Sequence, residues 1–541
     1  MQRRQLFTLA LLASALLAAC EAKSSSAVPA GVSAIPPQAL AQAGHVLRRV
    51  AFGPTPASLA EVGAHGGAWY VEQQLHPEDI DESACEPLAT WMALLPLPQT
   101  ELDQPALVQL VERQIARAIW SPRQLVESMT LFWEGHFNTN YWTVANWSSG
   151  TLVGEARATL LETRENEQFR AQALGRFEDL LRASATSPSM LITLDNVANV
   201  AGNPNENYAR ELVELFTLGV DNGYTQHDIE ELARCFTGWG VCEVATADAN
   251  DPLAPCASSP GGAGLTTLAF HFDASHHDPA PKTIFAGTSH ELALPARPGD
   301  AGLADGFDVL HHVASLPGTA HFLCWKLVRK FVCDEPPTAL VDRCTQVWLA
   351  TGGDVREVLR CLLTSPEFQD PQSAWNKLET PFEGLCSTVR ALEGLATREI
   401  QLTNFRAVLE QTLQQSLFRW TEPDGFPEAG DEQLGTTRLL GRIAFNQWIY
   451  RGENDDILYD IVSLVHRHGA PAGDAPSVVR TLGRLLHQES FTAEDEALAL
   501  EFANTDEHQL PAPLDPHAAD YARRLKELAA FIASLPQGVQ Q

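Results

Sequence analysis

The stretch NPNENYARELVELFTLGVDNGYTQHDIEELARCFTGWG, residues 203–240, reads as two helices joined by a tight turn, and its class is the class of the whole chain. Asn203-Pro204 is a helix entry, because Asn caps free amides and Pro is tolerated at the first helical position. At about 100° per residue, Glu206, Asn207, Arg210, Glu211 and Glu214 share one arc of the first helix. Tyr208, Leu212, Leu215 and Phe216 fill the rest, so the helix has a polar side and a core side. Gly219 suits the left-handed position that ends a helix. Asp221-Asn222-Gly223 makes the turn, and Thr225 with Asp228 forms a capping box for the second helix. The acids do not form a calcium loop. With Gly223 at the loop glycine, Leu218, Val220 and Ile229 fall where oxygen ligands are required.

The same helical period recurs along the chain. Leu107, Leu110, Val111 and Ile115 lie on one face, and further segments follow at 306–316, 321–332, 354–368, 377–395 and 518–535. The clearest strand is short, Leu268–Phe272. Between about 243 and 300 the chain is rich in Pro, Gly, Ala and Asp, a long irregular excursion of the kind that is either functional or unstructured. The expected architecture is mainly α, a multi-helix globular body with helical halves at 39–242 and 301–541 on either side of that excursion.

The N-terminus carries its own message. Arg3-Arg4 precede an apolar run from Leu6 to Ala19 that is too short to span a bilayer, and residues 1–19 read as a signal peptide. Leu17-Ala18-Ala19-Cys20 matches a lipobox, which makes Cys20 a lipidation site and the membrane a partner through that anchor. Arg3-Arg4-Gln5-Leu6-Phe7 resembles a twin-arginine signal, with the Sec route as the alternative. Residues 20–38, rich in Ser, Ala and Pro, form a tether. The location expected is the bacterial cell envelope.

A formal charge of -31 repels phosphate backbones, which excludes nucleic acid as an expected partner. With 45% hydrophobic residues the chain has ample material for a large core. Ten cysteines occur and no CxxC, so neither a zinc ribbon nor a thioredoxin-type motif is expected. Cys235, Cys242 and Cys256 are the expected source of one disulfide, with the pairing left open. Cys324, Cys361 and Cys386 read as small buried hydrophobes.

Candidate chemistry gathers in three places. The first is the polar face of 206–214, with Glu206, Arg210, Glu211 and Glu214 as candidate catalytic groups. A solvated face with i,i+4 ion pairs is the plain alternative. The second is LFWEGHF, which sets Glu134 and His136 among Phe132, Trp133 and Phe137. The third is FHFDASHHDPAPK, with His271, His276, His277, Asp278 and Lys282. A His-Asp pair binds metal or moves protons when the carboxylate orients the ring. His136, His277, Asp278 and, more weakly, Glu134 are therefore candidate metal ligands, Lys282 joins the catalytic set, and the cofactor expected is a divalent metal. Arg48 and Arg49 of HVLRRVAFG either bind an anion or pair with the protein's own carboxylates.

HVLRRVAFGPTP, FWEGHFNT, the 203–240 stretch, HHDPAPKTIFAG and HFLCWKLVRKFVCDEPP occur here in one order. That order resembles the large bacterial family called domain of unknown function 1800. The resemblance implies an exported, largely helical protein, in a family often encoded beside an exported sulfatase-like one, which is then a candidate partner. Its motifs fall on His136, Asn205, Glu206, Arg210, Glu211, Glu214, Trp239, His277, Asp278 and Lys282. Many members read Trp-His-Asn-His-Phe where this chain has Trp133-Glu134-Gly135-His136-Phe137, and Leu316 stands where a His-Pro variant is frequent. The expected function is metal-assisted hydrolysis of an extracellular polymer at one hollow uniting residues near 136, 210 and 277. The alternative is a non-enzymatic scaffold for the sulfatase-like neighbour.

Overall fold

The structure, a computed structural model, describes residues 32–147, 152–257, 266–370, 377–394, 399–428, 430, 435–451, 459–488, 491–506, 508 and 510–535. The expected signal peptide, the expected lipidation site Cys20 and most of the expected tether lie outside them. The described chain is mainly α, with two small two-stranded sheets. No helix in it is long and apolar enough to cross a membrane.

The elements that build the site are helices α1 (Pro37–Val50), α2 (Leu107–Trp120), α3 (Gln124–His136), α4 (Leu152–Gln172), α5 (Asn207–Glu211), α6 (Gln226–Cys235), α7 (Leu303–Ser315) and α8 (Pro317–Phe331). In α2 the foreseen face is the buried one: Leu107, Leu110, Val111 and Ile115 are all core. The second helix of the opening stretch also starts as expected, with Thr225 accepting from the Asp228 amide and Asp228 closing the box. Gly219 has φ +90° and Gly223 φ +85°, the conformations that require glycine there.

The first helix departs from expectation. Its start is Asn207, with Glu206 rather than Asn203 at the cap position and no side-chain cap bond from it, while the Asn207 amide donates to Asn205 Oδ1 at 2.9 Å. After Glu211 the backbone widens into a π-helix, Leu212–Thr217, so a strict 100° wheel no longer holds there.

The excursion is more regular than its composition suggests. Strand β1 (Trp239–Ala245) pairs antiparallel with β2 (Thr266–Phe272), in a register that sets Trp239 opposite Phe272 and Cys242 opposite Ala269. Strands β3 (Lys282–Ile284) and β4 (Leu292–Leu294) form the second sheet. A boundary at 242/243 therefore falls inside β1. That strand, WGVCEVA, lacks clean alternation because most of it is half-buried on both faces. One cluster of buried apolar side chains runs from Val32 to Ala533, so the two helical halves share a core, and Val244, Ala254 and Ala269 form a small second cluster.

Candidate functional site

His136 ends α3 and is almost fully buried among Phe132, Trp133, Phe137, Phe177 and Phe216. Its Nε2 lies 3.1 Å from the Phe216 carbonyl, which only accepts, so the proton sits on Nε2. The carbonyl belongs to the π-turn, where i→i+5 bonding leaves helix carbonyls for other donors. The free lone pair on Nδ1 faces Lys326 Nζ of α8 at 2.9 Å and accepts from it. Burial and the Lys326 charge hold the imidazole well below its usual pKa, which agrees with a neutral ring.

Lys326 is itself shifted. Burial lowers its pKa and Arg329 reinforces that, while Glu428 and Asp424 oppose it. On the π-turn side Glu211 moves the other way, raised by burial and by repulsion from Glu214 and Asp424 against the attraction of Arg210. The charge of Asp424 thus reaches both groups. Its loop is pinned over the end of α3: Asn138 Nδ2 donates to the carbonyls of Trp420 (3.1 Å) and Glu422 (2.7 Å), and Asn140 donates to that of Thr421. Gly425, at φ +80°, packs so closely on Gly135 that an added Cβ would overlap its carbonyl oxygen.

The rest of the acidic face is more open. Arg210 binds Glu206 at 2.9 Å and reaches Glu214 at 3.6 Å, and all three are partly exposed. Gln226 at the start of α6 donates to Glu206 and accepts from Arg210.

Glu134 points the opposite way from His136, into a carboxylate group. Asn166 Nδ2 donates to it at 2.6 Å, and Thr139 Oγ1 shares one proton between Glu162 (3.2 Å) and Glu165 (3.5 Å). Burial pushes Glu134 up to about 7, against Asn166 and Arg170. Burial also raises Glu162 and Glu165 well above the carboxylate range, with mutual repulsion adding. Glu165 Oε1 is buried without a hydrogen-bond partner among the described residues.

The third foreseen group is a separate construction. His277 Nε2 (3.2 Å), Lys282 Nζ (2.6 Å) and Arg297 Nη1 (3.0 Å) surround Asp305 of α7, and His277, Lys282 and Asp305 are buried. Burial works to raise the Asp305 carboxyl, but hydrogen bonds from His277 and Lys282 and the Lys282 charge outweigh it and leave its pKa lowered. His277 Nδ1 meets the Thr237 carbonyl at 2.8 Å. Asp278 is bound to Arg234 at 2.8 Å and to the Ala280 amide.

So α5 and α6 carry two sites. Gln226 touches the Glu206–Arg210 pair, and Arg234, which holds Asp278, lies eight residues later, about 12 Å along the helix axis. His136 joins the π-turn; no hydrogen bond or ion pair among the described residues links it to His277. The hollow uniting 136, 210 and 277 therefore divides into a His136 side and an Asp305 side. The ring nitrogens of His136 and His277 and the carboxylate of Asp278 are all hydrogen-bonded to protein groups, and none of the three belongs to a cluster of metal-donor atoms among the described residues, so as arranged they do not fit a metal.

Lys326, Asp305, Asp424, Glu428, Glu162 and Glu165 escaped the sequence reading. Lys326 stands in HFLCWKLVRKFV as one more cation on an amphipathic helix, and Glu162 with Glu165 as an ordinary i,i+3 pair. The sign of function in Asp305, Glu162 and Glu165 is burial, and in Lys326, Asp424 and Glu428 it is the charges brought together, neither of which one sequence displays. A separate cavity, away from these groups, is lined by Arg48, Glu379, Ser387, Asn446, Tyr450 and His487 among others. Burial pushes its Glu379 up to about 7.

No curated protein and no solved structure matches this chain. The family described as protein of unknown function (DUF1800) matches residues 45–537, which takes in every group described above. The chain belongs to the DUF1800 family.

Proposed function

We propose that the chain is an exported, lipid-anchored hydrolase acting on an extracellular polymer, with acid–base groups where the π-turn meets α8 and loop 420–428. The carrying observation is the 2.9 Å contact between Lys326 and a neutral His136, with the charge of Asp424 acting on both Lys326 and Glu211. An amine shifted down and a carboxyl shifted up, both within reach of the Asp424 charge, are the pair general acid–base catalysis needs near neutral pH. Lys326, once deprotonated, takes a proton from water; Glu211 delivers one to the leaving oxygen. His136 positions the amine through Nδ1, and the half-exposed Arg210 binds substrate oxygens. The lipobox at Cys20 supports an envelope location and hence a polymeric substrate.

No step above uses a metal: Glu134, Glu162 and Glu165 do not bring three carboxylate oxygens within 4.8 Å of one another.

The test of the catalytic reading is release of reducing ends from isolated envelope polysaccharide. Lys326→Met and Glu211→Gln each lower the rate about 10²- to 10⁴-fold with unchanged melting temperature. Wild-type activity in both variants refutes it.

Trp142 and Trp147, both over 40% exposed, support the scaffold alternative. It predicts that Trp142→Ala with Trp147→Ala abolishes capture of an exported sulfatase-like partner, and that Lys326→Met does not.

A further inference from the structure

The β1–β2 sheet carries a group that the hydrolase reading leaves unused. Cys242 and Cys256 are joined as a disulfide. Cys242 pairs with Ala269 and Gly240 with His271, so Cys242 and His271 are diagonal neighbours on one face of the sheet. Loop 246–257 brings Cys256 to that face, held by the Ala257 amide on the Glu243 carbonyl (2.7 Å) and the Phe272 amide on the Pro252 carbonyl (2.8 Å). One donor atom from each of Cys242, Cys256 and His271 lies within 4.8 Å of the other two. His271 Nδ1 is buried and has no hydrogen-bond partner among the described residues. A buried ring nitrogen normally finds a donor or acceptor, so an orphan on a ring that approaches two sulfurs is an independent sign of an absent ligand.

We infer that this group is a redox-gated site for a thiophilic ion of the zinc class, closed while the disulfide stands. A dithiol reductant opens it: the reductant's two S–H bonds break, its sulfurs join as a disulfide, and Cys242 and Cys256 each gain a proton. A divalent ion then displaces both thiol protons to solvent and takes two thiolates and the His271 nitrogen. Two sulfurs and one imidazole nitrogen are the donor set zinc prefers, at about 2.3 Å and 2.0–2.1 Å. Cys256 is exposed, which admits the ion and leaves water as the fourth ligand. The site is independent of Lys326 and Glu211, so its failure leaves the hydrolase proposal standing.

The experiment uses the purified chain, reduced with a phosphine under anaerobic conditions and titrated with Co(II), then Zn(II). Expected is one Co(II) per chain with thiolate-to-metal absorption, displaced by Zn(II), and none in the oxidised protein. Cys256→Ser loses binding. His271→Ala, which keeps the disulfide when oxidised and so keeps the fold, binds about tenfold or more weakly. The proposal is overturned if reduced wild type binds no stoichiometric Co(II), or if His271→Ala binds as tightly as wild type.

Discussion

Asp305 and Glu134 show how one buried carboxyl differs from another by its neighbours. Asp305 is ringed by Lys282, His277 and Arg297, which favour its charge. Removing that charge strands a buried ammonium, so Asp305→Asn costs about 3–5 kcal/mol of unfolding free energy, measured by denaturant titration. Its lowered pKa gives stability that is present above the ordinary aspartate value and is lost as pH falls through the folded one. Glu134 has the opposite sign. Its folded pKa of about 7 lies above the 4.5 of the free side chain, so the native state holds a proton that the unfolded chain releases. Its contribution is intact below 4.5 and is lost as pH rises towards 7, up to about 3 kcal/mol at 1.36 kcal/mol per unit. Glu134→Gln should therefore raise the melting temperature relative to wild type at pH 8 and leave it near wild type at pH 4. An equal difference at both pH values would contradict this. Nothing in the letters Glu134 or Asp305 separates the two cases; the Lys, the His and the desolvation that do so come from other elements.

At the scale of elements, the π-turn and the 420–428 loop decide what α3 and α8 can do. The π-turn frees the Phe216 carbonyl that fixes the His136 tautomer, and the loop brings Asp424 to both Lys326 and Glu211. Gly425 is the fastening. Gly425→Ala sets a Cβ against the Gly135 carbonyl at a positive φ, a cost of about 1 kcal/mol or more, and lifts the loop. Faster limited proteolysis within 420–428 at unchanged core hydrogen exchange is the expected result. The capping box at Thr225 and the stop at Gly219 were legible because their chemistry is local. The switch to a π-helix was not, since LVELFT has no residue that forbids an ordinary α-helix. Strand β1 was missed for a related reason: its half-buried pattern arises from its partner β2, not from its own alternation.

At the scale of the molecule, a charge of -31 surrounds one shared core. Such a surface keeps the protein apart from anionic polymers and headgroups, so the membrane contact proposed here must come from lipid rather than charge. Cys20→Ser should move the protein from the membrane fraction to the soluble one, and unchanged retention would refute the anchor.

The sequence by itself determined the helical class, the family, the Thr225 capping box, the Gly219 stop and the buried face of α2, because these follow from spacing within one or two turns. The position of Glu206, Arg210, Glu211 and Glu214 on one side of a helix was also written there. Only the tertiary structure decided which polar groups meet. It separated His136 from His277 and gave Lys326 to the first and Asp305 to the second. The physical reason is that desolvation and charge pairing act through space, between segments as far apart in the chain as 136 and 326.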